Sequence, residues 1–451
     1  MMTSDRSYAV APAPAERLKW DAPLAALSVL LFIQVWGVQS LFETLAVPGL
    51  LSVVTVVTLL LLALDRDPRR GVRGLNQPVV RAAVGLLLLA TLSIPGSLDP
   101  GRSLEIVLQW YLRAVLLMLL VAGAVRGVAD LQRLAWVQIA GLTLFCVVAT
   151  ARFWTGTNDK RWSPTYYDVN DLAILIVSVL PLVLYLWRRS RALGARLLLT
   201  AGTVFLMMTL GRTGSRSGFL ALVAVAGYLL LWFRGVSRAK RAGAVVLVAI
   251  LLIALANSDY FERIQTILHP SADYNWSGKS ETGRMALWKR GIGYVIDHPV
   301  FGVGAGDYQV AEGTLAPEAR VQQYGEYFKW SAAHNSFLEV AAEIGVPGLI
   351  VFVSLLVAAF RTLSRVRREA RGEAVLLAQA LIGSLIGFEV GAMFFAKAFA
   401  MYFYLLLGMS VGLAKVASPV LGTARPAGRA LRRSVPAPNR GALTAGQREL
   451  A

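Results

Sequence analysis

The sequence predicts an all-α integral membrane protein with about twelve transmembrane helices and one long extracytoplasmic loop that contains an amphipathic helix. Three observations predict it. Of the 451 residues, 56% are apolar and only 16% are charged, whereas a soluble domain is nearer a quarter charged. Apolar stretches close to the ~20 residues that cross ~30 Å of hydrocarbon recur along the chain. Basic residues crowd into alternate connections between those stretches, as they do in loops that stay inside the cell. A soluble chain of this length would divide into two or three domains with polar surfaces, and the residues to cover such surfaces are missing.

Taken in order, the apolar stretches run over 23–39, 44–64, 79–97, 104–125, 131–151, 170–187, 196–211, 217–233, 242–257, 335–360, 374–394 and 398–414. The first follows Arg17 and Lys19 and reads as a retained signal anchor, because no cleavage-site pattern follows it. The connections after even-numbered stretches hold nineteen Lys or Arg, including Arg66, Arg69, Arg70, Arg126, Arg188, Arg234, Lys240 and Arg367. The short connections on the other side hold seven, among them Arg102, Arg212, Arg216 and Lys397. Both termini are therefore expected inside, in a bacterial cytoplasmic (inner) membrane protein. The resulting organisation is a cytoplasmic tail over 1–22, nine spans within 23–257, an extracytoplasmic loop over 258–333, three spans within 334–415, and a basic, disordered tail over 416–451.

The long loop carries seven Lys or Arg and nine Asp or Glu, so the excess of positive charge lies elsewhere. Loops of this length are usually functional. Within it, Met285, Trp288, Ile292 and Ile296 recur at helical spacing over residues 282–296, which predicts an amphipathic helix lying on the membrane surface.

The net charge of +18 would suggest nucleic acid in a soluble protein. Here the inner loops absorb it, and no nucleic-acid partner is expected. The single cysteine, Cys146, excludes an intramolecular disulfide framework. Three histidines and one cysteine leave no Cys/His zinc site, and no metal or cofactor is expected.

Charges at the edge of the hydrocarbon need a reason. Arg212 and Arg216 lie in GRTGSRSGFLAL, at the start of the eighth stretch, where Ser215 or Ser217 can cap a helix. A helix N-terminus beside a guanidinium is an anion site; an interfacial arginine reaching lipid phosphate has the same spacing. Arg284 stands on the expected loop helix, four residues before Trp288, and can be a ligand or a solvated face. His334, in AAHNSFLEV where the loop re-enters the membrane, can exchange a proton at neutral pH or be held by backbone. Tyr166, Tyr167, Asp168, Asn170 and Asp171 form an aromatic and polar patch suited to sugar faces and hydroxyls, although an interfacial aromatic belt also explains the tyrosines.

Other motifs do not carry chemistry. Gly302, Gly304 and Gly306 do not make the GxGxxG spacing of a dinucleotide site. Asp65 and Asp67 form a DxD pair, but among arginines, where ion pairing is the expected role. Glu339 and Glu343 share one helix face at i, i+4, and Glu389 and Lys397 fall in the last hairpin; spacing assigns none of the four a role.

Four segments in order, YYDVNDLA, TGSRSGFLAL, GRMALWKRGIGYVIDHPVFGVGAGDY and HNSFLEVAAEIGVPGLI, resemble the Wzy/O-antigen ligase family of polytopic glycosyltransferases. The resemblance covers about residues 165–360 by motif and the remaining helices by number alone. It implies that Arg216 and Arg284 hold the diphosphate of an undecaprenyl-linked glycan donor, and that His334 takes the proton of an acceptor sugar hydroxyl. The acceptor is a glycan or lipid A-core, the site faces the periplasm, and direct attack inverts the anomeric centre. Arg212, Asp171, Asn170, Tyr167 and Asn335 of the HN pair are the accompanying substrate-binding candidates. Val169 stands where many relatives carry proline, which bears on the local turn.

Within this resemblance, ligase, polymerase and protein O-oligosaccharyltransferase share one donor site. A multi-pass transporter or flippase of a polar lipid or glycan is the alternative from a different class. Transporters tend to show related halves or interrupted helices, and residues 1–225 and 226–451 show no such repeat.

Overall fold

The computed structural model describes residues 19–37, 47, 49–71, 76–155, 168–256, 258–278, 280–320 and 330–423. Among them every regular element is helical. In chain order these are α1 (Ala22–Trp36), α2 (Leu50–Leu64), α3 (Pro78–Ser93), α4 (Pro100–Ile106), α5 (Leu112–Ala124), α6 (Val128–Thr155), α7 (Val169–Arg189), α8 (Leu193–Thr213) and α9 (Arg216–Leu231). They continue with α10 (Arg238–Leu255), α11 (Ser258–Gln265), α12 (Arg284–Asp297), α13 (Tyr308–Thr314), α14 (Pro317–Arg320), α15 (Ser336–Glu369), α16 (Glu373–Ala392) and α17 (Met401–Thr423). Each of the twelve apolar stretches coincides with a helix of this series. By length and composition, seven segments among the described residues are long and apolar enough to cross a membrane, and four further apolar helices among them are shorter. The fourth stretch meets a π turn at Val107–Tyr111, which runs α4 into α5 without a break.

Helix packing follows from small residues. Gly383, Gly387 and Gly391 repeat every four residues along α16, and a Cβ at each would meet Pro181, Val225 or Ile174 within about 3 Å. The stripe thus lets α7 and α9 lie close against α16, the device that packs helices where hydrocarbon offers no hydrophobic drive. Gly408 of α17 does the same against Met118 of α5.

At the end of the bundle away from the long loop, Asp21 caps α1 and accepts from Arg70 at 2.8 Å. It also pairs with Arg126, which in turn holds Asp130 at 2.8 Å. The DxD pair joins this network: Asp65 pairs with Arg70, and Asp67 with Arg69 at 2.8 Å. The hydrogen bond from Arg69 holds the Asp67 carboxyl down to about 2.

Two backbone devices build the opposite end. Helix α15 is broken at Gly345 (φ 77°), where a Cβ would lie 2.4 Å from the Val300 carbonyl oxygen. The FGVGAGDY glycines close on that break: Val303 N–H donates to the Ala342 carbonyl at 2.8 Å, and Gly304 N–H to that of Glu343 at 3.1 Å. Glu343 accepts from Tyr111 Oη at 3.1 Å, from Gly306 N–H at 2.9 Å and from Tyr308 N–H at 3.3 Å. The glycines are therefore a docking loop against α15.

Candidate functional site

The start of α7 is the first wall of the site. Asp168 is its N-cap and accepts from the Asn170 backbone at 2.8 Å and side chain at 2.9 Å. Val169 opens the helix directly after this cap, in a position where proline is also well tolerated. Asn170 Oδ1 accepts from Ser215 Oγ at 2.8 Å, and Ser215 caps α9 by accepting from Gly218 N–H at 3.1 Å. Two motifs forty-five residues apart thus meet through one hydrogen bond.

Arg216 is the first residue of α9. Its Nη1 donates to Thr266 Oγ1 at 2.8 Å and forms an ion pair with the buried carboxylate of Asp273. Asp273 is itself oriented by the Asn275 backbone N–H at 3.0 Å. Arg284 opens α12 and is half-buried, and no carboxylate pairs with it among the described residues. Burial, and after it the positive charge of Arg216, hold its guanidinium below the ordinary arginine value. A cation held below its ordinary value by burial and a neighbouring positive charge is stabilised by an added anion. Arg263 adds a third: its side chain packs within 3.0 Å of where a Gly214 Cβ would stand, two residues before Arg216. Arg212 is half-buried in the last turn of α8, across that turn.

His334 follows the residue that α12 holds. Trp288, four residues after Arg284, donates from its indole N–H to the Ala333 carbonyl at 3.0 Å. The same indole packs edge-on to Trp276 at 5.2 Å and stacks on Phe394 at 6.5 Å. His334 itself has φ 48°, the one non-glycine residue in the left-handed region among the described residues. Such backbone strain persists where the surroundings over-determine it, commonly at functional sites. Its ring lies 5.5 Å from that of Phe395. Asn335, next in the chain, caps α15 by accepting from Phe337 N–H at 2.9 Å and Leu338 N–H at 3.1 Å; its side-chain oxygen is thus a helix cap.

His334 opens onto a cleft of about 600 Å³, whose lining includes Arg102, Tyr111, Asp168, Asp171, Tyr308, Glu339, Glu343, Phe395 and Lys397. Across it Lys397 pairs with Asp171 at 2.9 Å. Arg102 is held by the Gly306 carbonyl at 3.2 Å and by Gln309 Oε1 at 3.0 Å. Asp168 belongs to both halves of the site, since it lines the cleft and its charge acts on Arg284.

A second cavity, of about 660 Å³, lies between α7, α8, α9, α10 and α11. Apart from Thr200, Thr203 and Lys240 its lining is aliphatic, aromatic or glycine. At the loop end it reaches Phe219, three residues from Arg216, and Ile264, two residues from Thr266.

Of the sequence-derived candidates, the structure sets Arg216 and Arg284 near enough for their charges to act on one another, joins Asn170 to the cap of Arg216's helix, and places Asp171 and His334 on one cleft. Tyr167 and Tyr166 lie outside the described residues. Arg102, Arg263, Asp273 and Lys397 are the additions. Arg263 and Asp273 sit in irregular or short segments with no periodic signal, while Lys397 pairs with Asp171 across 226 positions of sequence.

The geometry accords with the comparison to known proteins. Residues 201–353 match the family described as O-antigen ligase (Wzy_C). The match supports the Wzy/O-antigen ligase family. It contains Arg216, the long loop with Arg284, and His334, while the α7 motif precedes it. A search of curated proteins finds no match. The O-antigen ligase match and the apolar helices support a bacterial inner-membrane protein of the glycan-transferring ligase and polymerase kind.

Proposed function

We propose that this protein transfers an oligo- or polysaccharide from an undecaprenyl-diphosphate donor to an acceptor sugar hydroxyl, on the outer face of the bacterial cytoplasmic membrane. In this reading all twelve apolar helices cross the bilayer, both termini are cytoplasmic, and the 258–333 segment is extracytoplasmic. The observation that carries the proposal is that Arg284, half-buried with no carboxylate paired to it among the described residues, lies within reach of the charge of Arg216 and one turn before Trp288, whose indole holds the residue preceding His334. The adjacent apolar cavity suits the hydrocarbon tail of a lipid-linked donor.

The residues divide the reaction between them. Arg216 and Arg284 bind the diphosphate and neutralise the charge that develops as the bond from the anomeric carbon to the phosphate oxygen breaks. The acceptor hydroxyl oxygen attacks that carbon from the opposite face, and a neutral His334 imidazole takes its proton. The electron pair of the broken bond leaves with undecaprenyl diphosphate, and the configuration inverts. Asp171, Lys397 and Arg102 hold sugar groups in the cleft, and Asn170 binds beside them at the start of α7. The arginines supply the positive charge for the leaving group, so the reaction needs no divalent ion. Polymer, lipid A-core and protein hydroxyls are acceptors of one common chemistry.

The test is complementation of a deletion strain, with surface polysaccharide resolved by size. Wild type restores polymer; Arg216→Ala, Arg284→Ala and His334→Ala insert normally and do not. Restoration by any one removes that residue from the site. In the deletion, chains cut to one repeat identify a polymerase, and finished polymer left on its lipid carrier identifies a ligase.

A further inference from the structure

Helix α12 has two distinct faces. Leu287, Gly291 and Tyr294 are buried, and a Cβ at Gly291 would lie 2.6 Å from Tyr308 Oη. On the opposite face Met285, Ile292 and Ile296 are 50%, 54% and 70% exposed. At 100° per residue these three fall within about 40° of one another, with exposed Lys289 on the same ridge. Such a ridge is costly in water and marks a surface that something covers.

What covers it follows from its continuation. Past the end of α12 the ridge runs on into exposed Val300 and Phe301. Pro299 accepts from Val346 N–H at 2.8 Å, which sets that end against α15 at its Gly345 break. From there α15 exposes Val346, Ile350, Val353 and Val357, at i, i+4, i+7 and i+11. This is the outward stripe of a segment long and apolar enough to cross a membrane, and hydrocarbon is its natural cover.

We infer that α12 is an interfacial helix, seated through Met285, Ile292, Ile296, Val300 and Phe301 in the lipid leaflet on the loop side of the membrane. Lys289 reaches outward from between its apolar neighbours to lipid phosphate. The seat fixes the height of the helix, and with it Arg284 at the head-group level. A lipid-borne diphosphate lies at that level, so this last step rests on the proposed donor.

The test uses the full-length protein in phosphatidylethanolamine/phosphatidylglycerol bilayers, with spin labels on introduced cysteines in a Cys146→Ser background. Labels at Met285→Cys, Ile292→Cys and Ile296→Cys are expected to favour collision with oxygen over a water-soluble nickel chelate, as at Val353→Cys. Glu281→Cys, exposed at the head of the helix, is expected to favour nickel. Nickel preference at 292 and 296 overturns the seat, and so does shielding from both reagents, which means a protein cover. Ile292→Glu with Ile296→Glu is expected to slow transfer in bilayers about tenfold or more by displacing Arg284, and to leave transfer in detergent unchanged. Equal rates in bilayers overturn the link to the reaction. A wild type without transfer activity sinks the proposed donor chemistry, while the labels still decide the seat.

Discussion

Arg284 is a half-buried cation whose strongest charged influence is another cation, Arg216. A folded protein keeps that arrangement at a cost, and a bound anion offsets it. Replacing either arginine by Ala is expected to lower the turnover number by about 10²–10³, the usual effect of removing one donor from a developing anion. Lysine restores charge without the bidentate fork, so Arg→Lys variants fall between. Steady-state turnover of lipid-linked glycan checks both. Asp273 is the counterpoint. It is buried and engages Arg216, so we assign it the positioning of that guanidinium. Asp273→Asn is expected to lower turnover while leaving expression and insertion intact; unchanged kinetics would return Asp273 to a purely local role. In the sequence Arg216 stood out because a charge opened an apolar stretch, and His334 because it closed the loop. Asp273 gave no such signal, because its meaning arises only when residues 266–275 fold back over the start of α9. Asn335 shows the reverse: its side chain caps α15, which spacing does not separate from a substrate contact.

At the scale of elements, helical period located α12 but put Trp288 on the wrong face. Met285, Trp288, Ile292 and Ile296 were one stripe in the sequence. In the fold Trp288 turns inward, because its indole N–H finds the Ala333 carbonyl and its ring finds Phe394. Residues Leu287, Gly291 and Tyr294 are the true packing face. The glycine-rich FGVGAGDY loop carried part of the resemblance in the sequence, but its spacing showed only the absence of a dinucleotide motif. Its function is to dock against a broken helix, at positions that L side chains disfavour. Gly302→Ala is expected to destabilise the protein by at least about 2 kcal/mol, since its Cβ would lie 2.3 Å from the Glu343 carbonyl carbon at φ 69°. Gly278→Ala, at φ 70° with nothing within 4 Å, keeps only the backbone strain of about 1–2 kcal/mol. Thermal unfolding in detergent distinguishes the two; equal shifts would mean that the docking loop bears no load.

For the molecule as a whole, the apolar runs were readable because each spanning helix satisfies its own backbone and needs no neighbour to declare itself. Their number was clearer than their lengths. Helix α1 has 15 residues and α15 has 34, because Gly37 in the left-handed region ends one and an arginine-rich extension prolongs the other beyond its apolar stretch. The charge imbalance reads as topology: the proposed inner loops and terminal tails together hold most of the arginines, and the few on the other side include both members of the proposed diphosphate clamp. Because the clamp is made of arginines, chelation is expected to leave transfer unchanged; loss of activity restored by a divalent ion would contradict it. The most direct measurement is transfer by the purified protein in detergent, with a lipid-linked glycan, an acceptor glycan and no ion gradient. The account predicts release of undecaprenyl diphosphate with a matching gain in acceptor length, abolished by His334→Ala. Movement of lipid-linked glycan across sealed bilayers without any such transfer would contradict it.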